Sequence, residues 1–148
     1  MIWQKPEGAR ASNGSAFGGA NGGCTMIEHV SVPVSNVRKS KAFYTKALKP
    51  LGYMPWMAYA DAVGFVEGGH ARFWIGKQET VVPMHVAFLA RSRKAVHDFH
   101  AAALKAGGKD NGKPGYRDYS ADYYAAFVYD PDGNNIEAVW YDPARKEK

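Results

Sequence analysis

Cysteine is almost missing from this chain: Cys24 is the only one among 148 residues. A single thiol cannot close an intramolecular disulfide, which is compatible with a reducing compartment, and a cytoplasmic location is the expectation. No apolar run approaches the ~18 residues that a bilayer-spanning helix needs, so a soluble chain with no membrane partner is expected. Residues 1–25 also lack the continuous apolar stretch of a secretory signal. Gly, Ala, Ser and Asn dominate from Gly8 to Gly23 without periodicity, so this segment cannot offset its ordering entropy and reads as a flexible arm. Charge of one sign is modest: the net +5 comes from scattered Lys and Arg, clustered only at Arg145, Lys146 and Lys148. That balance mildly favours anionic small molecules, and with no nucleic-acid motif present no nucleic-acid partner is expected.

What is present is most legible from Phe127 to Trp140, FVYDPDGNNIEAVW. An apolar run ends at Tyr129, Asp130-Pro131-Asp132-Gly133 supplies turn chemistry, and a second run follows, which predicts a hairpin. Side chains alternate along a strand, so Ile136, Ala138 and Trp140 share one side while Glu137, Val139 and Tyr141 share the other. A carboxylate in mid-strand is costly to bury alone. Glu137 is therefore either on a solvated outer face or a metal ligand or general base in a cavity.

From Met26 onward the pattern is regular, and 26–148 is expected to be a single domain. Ile27 to Val34 alternates as a half-buried strand with His29 and Ser31 opposite the valines. Ser35 caps a helix running from Asn36 to about Leu51, and Gly52 ends it. Strands are predicted near 53–58, 62–66 and 71–76. The second half restarts at Met84, where His85-Val86-Ala87-Phe88 repeats His29-Val30-Ser31-Val32. Fifty-six residues separate the two histidines, and the same offset pairs Phe43 with Phe99, Leu48 with Leu104 and Gly52 with Gly108. A helix capped by Ser92 runs to Ala106, followed by strands near 109–111, 123–129 and 134–141. A loop at 112–122 is long enough to suggest function. Two tandem βαβββ modules, about 26–82 and 83–141, in an α+β chain are the consequence.

Duplication places each first strand equivalently, so His29 and His85 would face each other across a shared concave sheet, with Glu137 on the same hollow. Two imidazoles and one carboxylate with open positions suit a divalent metal: Fe, Mn, Zn or Ni. His70, His97 and His100 read as loop or helix-surface residues without a role. Aromatics are plentiful, and Trp56, Trp74, Tyr116, Tyr119, Tyr123 and Tyr124 would suit a substrate with a flat or apolar part. Arg72, one strand step from Trp74, can pair with an anionic group.

Three segments, IEHVSVPVSNVRKSKAFYTKALKPLGY, MHVAF and AAFVYDPDGNNIEAV, occur in this order. Through them residues 26–141 resemble the vicinal oxygen chelate superfamily, which includes glyoxalase I, bleomycin resistance proteins, fosfomycin resistance enzymes and extradiol dioxygenases. The resemblance implies two βαβββ modules forming a curved, barrel-like mixed sheet around a metal held by His29, His85 and Glu137, and a homodimer. Trp74 falls where a fourth family ligand would lie, which counts against glyoxalase I itself. Phe127 stands where a dioxygenase would carry a phenol, and no potassium-loop segment of the fosfomycin transferase kind is found.

Two functions remain open. One is a metal-dependent lyase, isomerase or dioxygenase acting on a small oxygenated substrate, with Glu137 as the catalytic carboxylate. The other is a metal-free protein that sequesters a small molecule, like bleomycin resistance proteins.

Overall fold

The computed structural model describes residues 27–145. The arm expected at 1–25 lies outside them. The Val30, Val32, Val34 alternation forms β1 (Val30–Val34), followed by α1 (Val37–Ala47), β2 (Met54–Ala58), β3 (Ala62–Glu67) and β4 (His70–Lys77). The second module repeats the order with β5 (His85–Leu89), α2 (Arg93–Lys105), β6 (Lys109–Tyr116), β7 (Tyr123–Tyr129) and β8 (Asn135–Tyr141). The expected α+β pair of βαβββ modules is therefore the observed architecture. Among the described residues no helix is long and apolar enough to cross a membrane.

Each module makes its own four-stranded sheet, in the orders β1-β4-β3-β2 and β5-β8-β7-β6. First and last strands of a module pair in parallel, and the other neighbours are antiparallel. The two sheets are not closed into a barrel, and no strand of one pairs with a strand of the other. Side-chain packing joins them instead. Val32, Phe43, Tyr44, Phe73 and Ile75 of module one share a buried cluster with Phe88, Phe99, Val128, Ile136 and Ala138 of module two. Removing that apolar area from water is the main force between the halves.

Local chemistry explains the element ends. The α1 cap is Asn36, whose side chain accepts from the Lys39 amide at 2.9 Å, and not Ser35 as the sequence suggested. Ser35 is drawn away by Asp132, which accepts from its hydroxyl and its backbone amide. Ser92 caps α2 as expected, accepting from the Ala95 amide at 3.1 Å. Pro50 has no N–H to continue α1, so the chain tightens into a 3-10 turn at Lys49–Leu51 before Gly52 reverses it at φ 90°. The loop expected at 112–122 is shorter than predicted, because β6 runs on to Tyr116 through shifted register at Gly112 and Gly115.

The turn between β7 and β8 does more than reverse the chain. Gly133 takes φ 88°, and Asp130 accepts from the Asp132 and Asn134 amides, the Asn134 side chain and the Tyr44 hydroxyl, the last at 2.7 Å. Tyr44 belongs to α1, 86 positions away. Burial, with the Asp130 charge beside it, raises the Tyr44 hydroxyl well above the usual phenol range, so it remains a donor. Asn134 reaches the Pro33 carbonyl and accepts from the Met84 amide. The turn thus ties the last hairpin of module two to β1 and α1 of module one.

Candidate functional site

Strand alternation sends Ile136 and Ala138 into the core and Glu137 to the opposite face, where Ala125, Phe127, Val139 and Tyr123 form a separate small cluster. On that helix-free face Glu137 is only 2% exposed, which rules out the solvated reading. Its compensation is visible. The Tyr123 hydroxyl donates to Oε1 at 2.6 Å, and His85 Nε2 stands 3.1 Å from Oε2. Burial first, then the bond to Glu137 and its charge, raise the Tyr123 phenol far above its ordinary value. It stays protonated at neutral pH and keeps donating.

The other ring nitrogen of His85, Nδ1, lies 3.1 Å from the Asn135 carbonyl oxygen. A carbonyl only accepts, and so does an ionised carboxylate. With Glu137 ionised, His85 must carry protons on both nitrogens, or a cation must take the place of the Nε2 proton. A backbone acceptor on the distal nitrogen is also the usual support of a metal-binding imidazole. The 3.1 Å separation of His85 Nε2 and Glu137 Oε2 matches the ~3 Å between neighbouring ligands that each lie ~2.1 Å from one ion. These two side chains fit a divalent metal.

The third expected ligand is elsewhere. His29 precedes β1, half-exposed, with Nδ1 bonded to the adjacent Glu28 carboxylate. Among the described residues no three His, Cys, Asp or Glu side chains gather into a metal-holding group. One copy of the chain therefore brings together His85 and Glu137 but not His29.

The strand registers confirm the position of Trp74. Ser31 pairs with Trp74 as Ala87 pairs with Glu137, and Ser31 and Ala87 are themselves equivalent. On module one the place of the carboxylate is thus filled by an indole. A Cβ on Gly64 would stand 2.9 Å from that ring, so only glycine leaves the space, and Tyr59 stacks on it at 6.3 Å. An apolar hollow of about 220 Å³ lies beside it, lined by Ser31, Pro33, Ala62 and Gln78 among others.

The remaining expectations divide by face. Tyr123 lies with Glu137, and Tyr119 meets its ring edge-on at 5.1 Å. Tyr116 and Tyr124 do not share that face: both belong with the helix-side core, with Arg93 of α2 over both rings. The reason is alternation, since Tyr123 and Tyr124 are adjacent and must point to opposite sides. Trp56 sits at a bulge in the edge strand β2 and is 54% exposed, and Arg72 is half-buried in β4. His97 and His100 are not idle surface residues. His97 lies 2.7 Å from the Tyr124 hydroxyl, while His100 is buried and lies 3.0 Å from Asp110. That contact, with the Gly112 amide, holds the Asp110 carboxyl below its ordinary range.

Sequence reasoning missed the wall beside His85. The Phe127 ring stacks on His85 at 6.3 Å, and the Arg117 guanidinium lies over the same ring, 5.3 Å from its centre. The run GKPGYR at the end of β6 sets two glycines near Arg117, but nothing in its spacing points to Phe127.

A duplicated βαβββ fold with a His–Glu pair on an open sheet face defines a class, and the comparisons name it. The sequence model of the Glyoxalase/Bleomycin resistance protein/Dioxygenase superfamily matches residues 26–138. The chain belongs to this superfamily. A glyoxalase/bleomycin resistance protein from Albidiferax ferrireducens T118 is 31% identical, with 78% of this chain and 98% of that chain covered and a TM-score of 0.69. Lower identities show the fold alone. A glyoxalase-related enzyme from Fulvimarina pelagi is 15% identical over 79% of this chain and 88% of that one, with a TM-score of 0.64. A lactoylglutathione lyase from Agrobacterium tumefaciens is 15% identical over 79% and 94%, with a TM-score of 0.62. No curated protein matches the chain.

Proposed function

We propose that this protein is a metal-dependent enzyme acting on a small oxygenated substrate, as a lyase, isomerase or dioxygenase. The observation that carries the reading is the pair His85 and Glu137, whose Nε2 and Oε2 stand 3.1 Å apart while the other ring nitrogen lies 3.1 Å from the Asn135 carbonyl oxygen. A divalent ion (Fe, Mn, Zn or Ni) held there would supply Lewis acidity to the oxygens of a small substrate. In this reading His85 and Glu137 would hold the metal, Tyr123 would fix Glu137 through Oε1, and Glu137 would be the carboxylate available to move a substrate proton.

The third ligand comes from His29 of a second copy, in a homodimer. Exposed apolar surface supports this: Met54 and Trp56 on β2, whose outer edge is unpaired among the described residues, and Leu89 on β5 at 69% exposure. The protein then acts within the cytoplasm, with a small molecule as its partner. A second reading, a metal-free binder like bleomycin resistance proteins, draws on the aromatic floor that Trp74 and Tyr59 build beside the module-one hollow.

The test is the metal content of protein purified without added metal or chelator, by elemental mass spectrometry. Near one ion per chain is expected in the wild type, and little in the His29→Ala, His85→Ala double variant. Co-expressing the two single variants should restore about a quarter of the sites, since random dimers give one intact site per mixed pair. A wild type that holds no metal, and takes up none of the four on titration, favours the binder.

A further inference from the structure

Arg117 leaves its own strand end and folds back over β6. Its guanidinium donates to the carbonyls of Lys113 at 2.6 Å and Tyr116 at 3.3 Å, and covers the Phe127 ring. Two glycines make this course open. A Cβ at Gly112 would lie 3.3 Å from one guanidinium nitrogen and 3.0 Å from the Phe127 ring, and a Cβ at Gly115 would lie 3.2 Å from the other nitrogen. Any larger residue would press on the cation. The arrangement is therefore a cradle that fixes a long, mobile side chain along a strand.

The fixed charge has no carboxylate partner among the described residues. It borders an open hollow of about 680 Å³, lined by Asn111, Lys113, Arg117, Tyr119, Phe127 and Asn135. Both charged side chains in that lining are cations. The hollow adjoins the His–Glu pair on two sides. Phe127 is stacked on His85, and Asn135, whose carbonyl faces the His85 ring, accepts from Asn111 at 3.0 Å through its side chain. A planar guanidinium with donors left over on an aromatic floor suits a flat, planar anion, above all a carboxylate.

We propose that Arg117 is a specificity-determining residue and that the substrate carries a carboxylate beside a flat, apolar part. The carboxylate lies against the guanidinium, the flat part lies on Phe127, and the oxygenated end reaches His85 and Glu137. This deepens the reading of the site as a metal enzyme and rests on it for the reaction. The anion subsite itself requires no metal, so it can be tested separately.

The experiment is a titration of metal-free protein, kept in chelator, with benzoate and with its neutral analogue benzamide, followed by NMR of the arginine side-chain Nε–H signals and by calorimetry. Benzoate should shift the Arg117 signal and bind at least tenfold more tightly than benzamide. That preference should vanish in Arg117→Gln, survive in part in Arg117→Lys, and weaken in Gly115→Ala, where the Cβ displaces the guanidinium. Equal binding of the two probes to the wild type, benzoate binding unchanged in Arg117→Gln, or no binding of benzoate would each overturn the proposal. The metal content of the wild type is untouched by any of these outcomes, so the two readings fail separately.

Discussion

The helix-free faces of the two sheets occupy equivalent positions and have opposite characters. On the second sheet Glu137 lies buried at the central place, bonded by Tyr123 and facing His85. On the first sheet Trp74 fills the same place, lies over Gly64 and is covered by Tyr59. The pairing of strands is the same in both, so backbone geometry does not decide the chemistry. A side-chain exchange at one position, accommodated by a glycine on the neighbouring strand, turns a polar face into an aromatic one. The duplicated fold keeps its register while its two faces diverge.

The sharpest way to test this contrast is to remove the polarity of the second face. Glu137→Gln keeps the shape and the bond from Tyr123 but loses the charge; metal content should fall at least about tenfold and activity with it, while the fold persists. Unchanged metal in the variant would show that Glu137 is not a ligand. The turns of the two modules differ as strongly as the faces, since β3 and β4 are joined by a plain Gly68–Gly69 turn. Asp130→Ala removes the acceptor of four hydrogen bonds and should cost about 3 kcal/mol in chemical denaturation. A loss below half that figure would mean the turn is not the tie between modules.

The aromatic face is tested by Gly64→Ala. The new methyl meets the Trp74 ring at 2.9 Å, and a cost of about 1–2 kcal/mol with altered tryptophan fluorescence is expected from overpacking. The smallest effect concerns acid. Asp110 is held below its ordinary 3.8 by the His100 contact and the Gly112 amide, so the folded chain binds its proton less readily than the unfolded chain does. Its contribution is full above about pH 4 and fades as pH falls below that value. The stability gap between wild type and Asp110→Asn should therefore narrow from pH 6 to pH 3; a constant gap would refute the assignment.

Much of the fold was legible because its signals are local or periodic. The 56-residue offset between the modules is periodic, the Ser92 cap and the Asp130–Gly133 turn rest on a few neighbouring residues, and the elements they predict are found, although His29 itself falls outside β1 and apart from His85. The alternation that sends Glu137 away from Ile136 and Ala138 also held. What the sequence did not reveal depends on distance. Asp130 and Asp132 read as turn residues, yet their partners Tyr44 and Ser35 lie on or next to α1, far away in the chain. Asn36 caps as well as serine does, so the contact of Ser35 with Asp132, not local preference alone, decides between them. Tyr116 and Tyr124 were grouped with Tyr123 by composition; alternation in β7 alone separates Tyr124 from Tyr123, and Tyr116 joins it through the shifted β6 register. The cradle of Arg117 depends on the course of β6 past Phe127, which no spacing rule encodes.

The stitch made by Asn134 has a further meaning for how the molecule comes into being. One amide side chain reaches the Pro33 carbonyl of the first half and accepts from the Met84 backbone of the second, while the Asp130 beside it is bonded by Tyr44. Neither repeat, translated alone, can complete this knot. A repeat on its own would have to meet its complement in another molecule, whereas here that encounter is a step within one chain. The hydrogen bonds of the last hairpin are therefore complete only with Tyr44 of α1 and Pro33 of β1 in place.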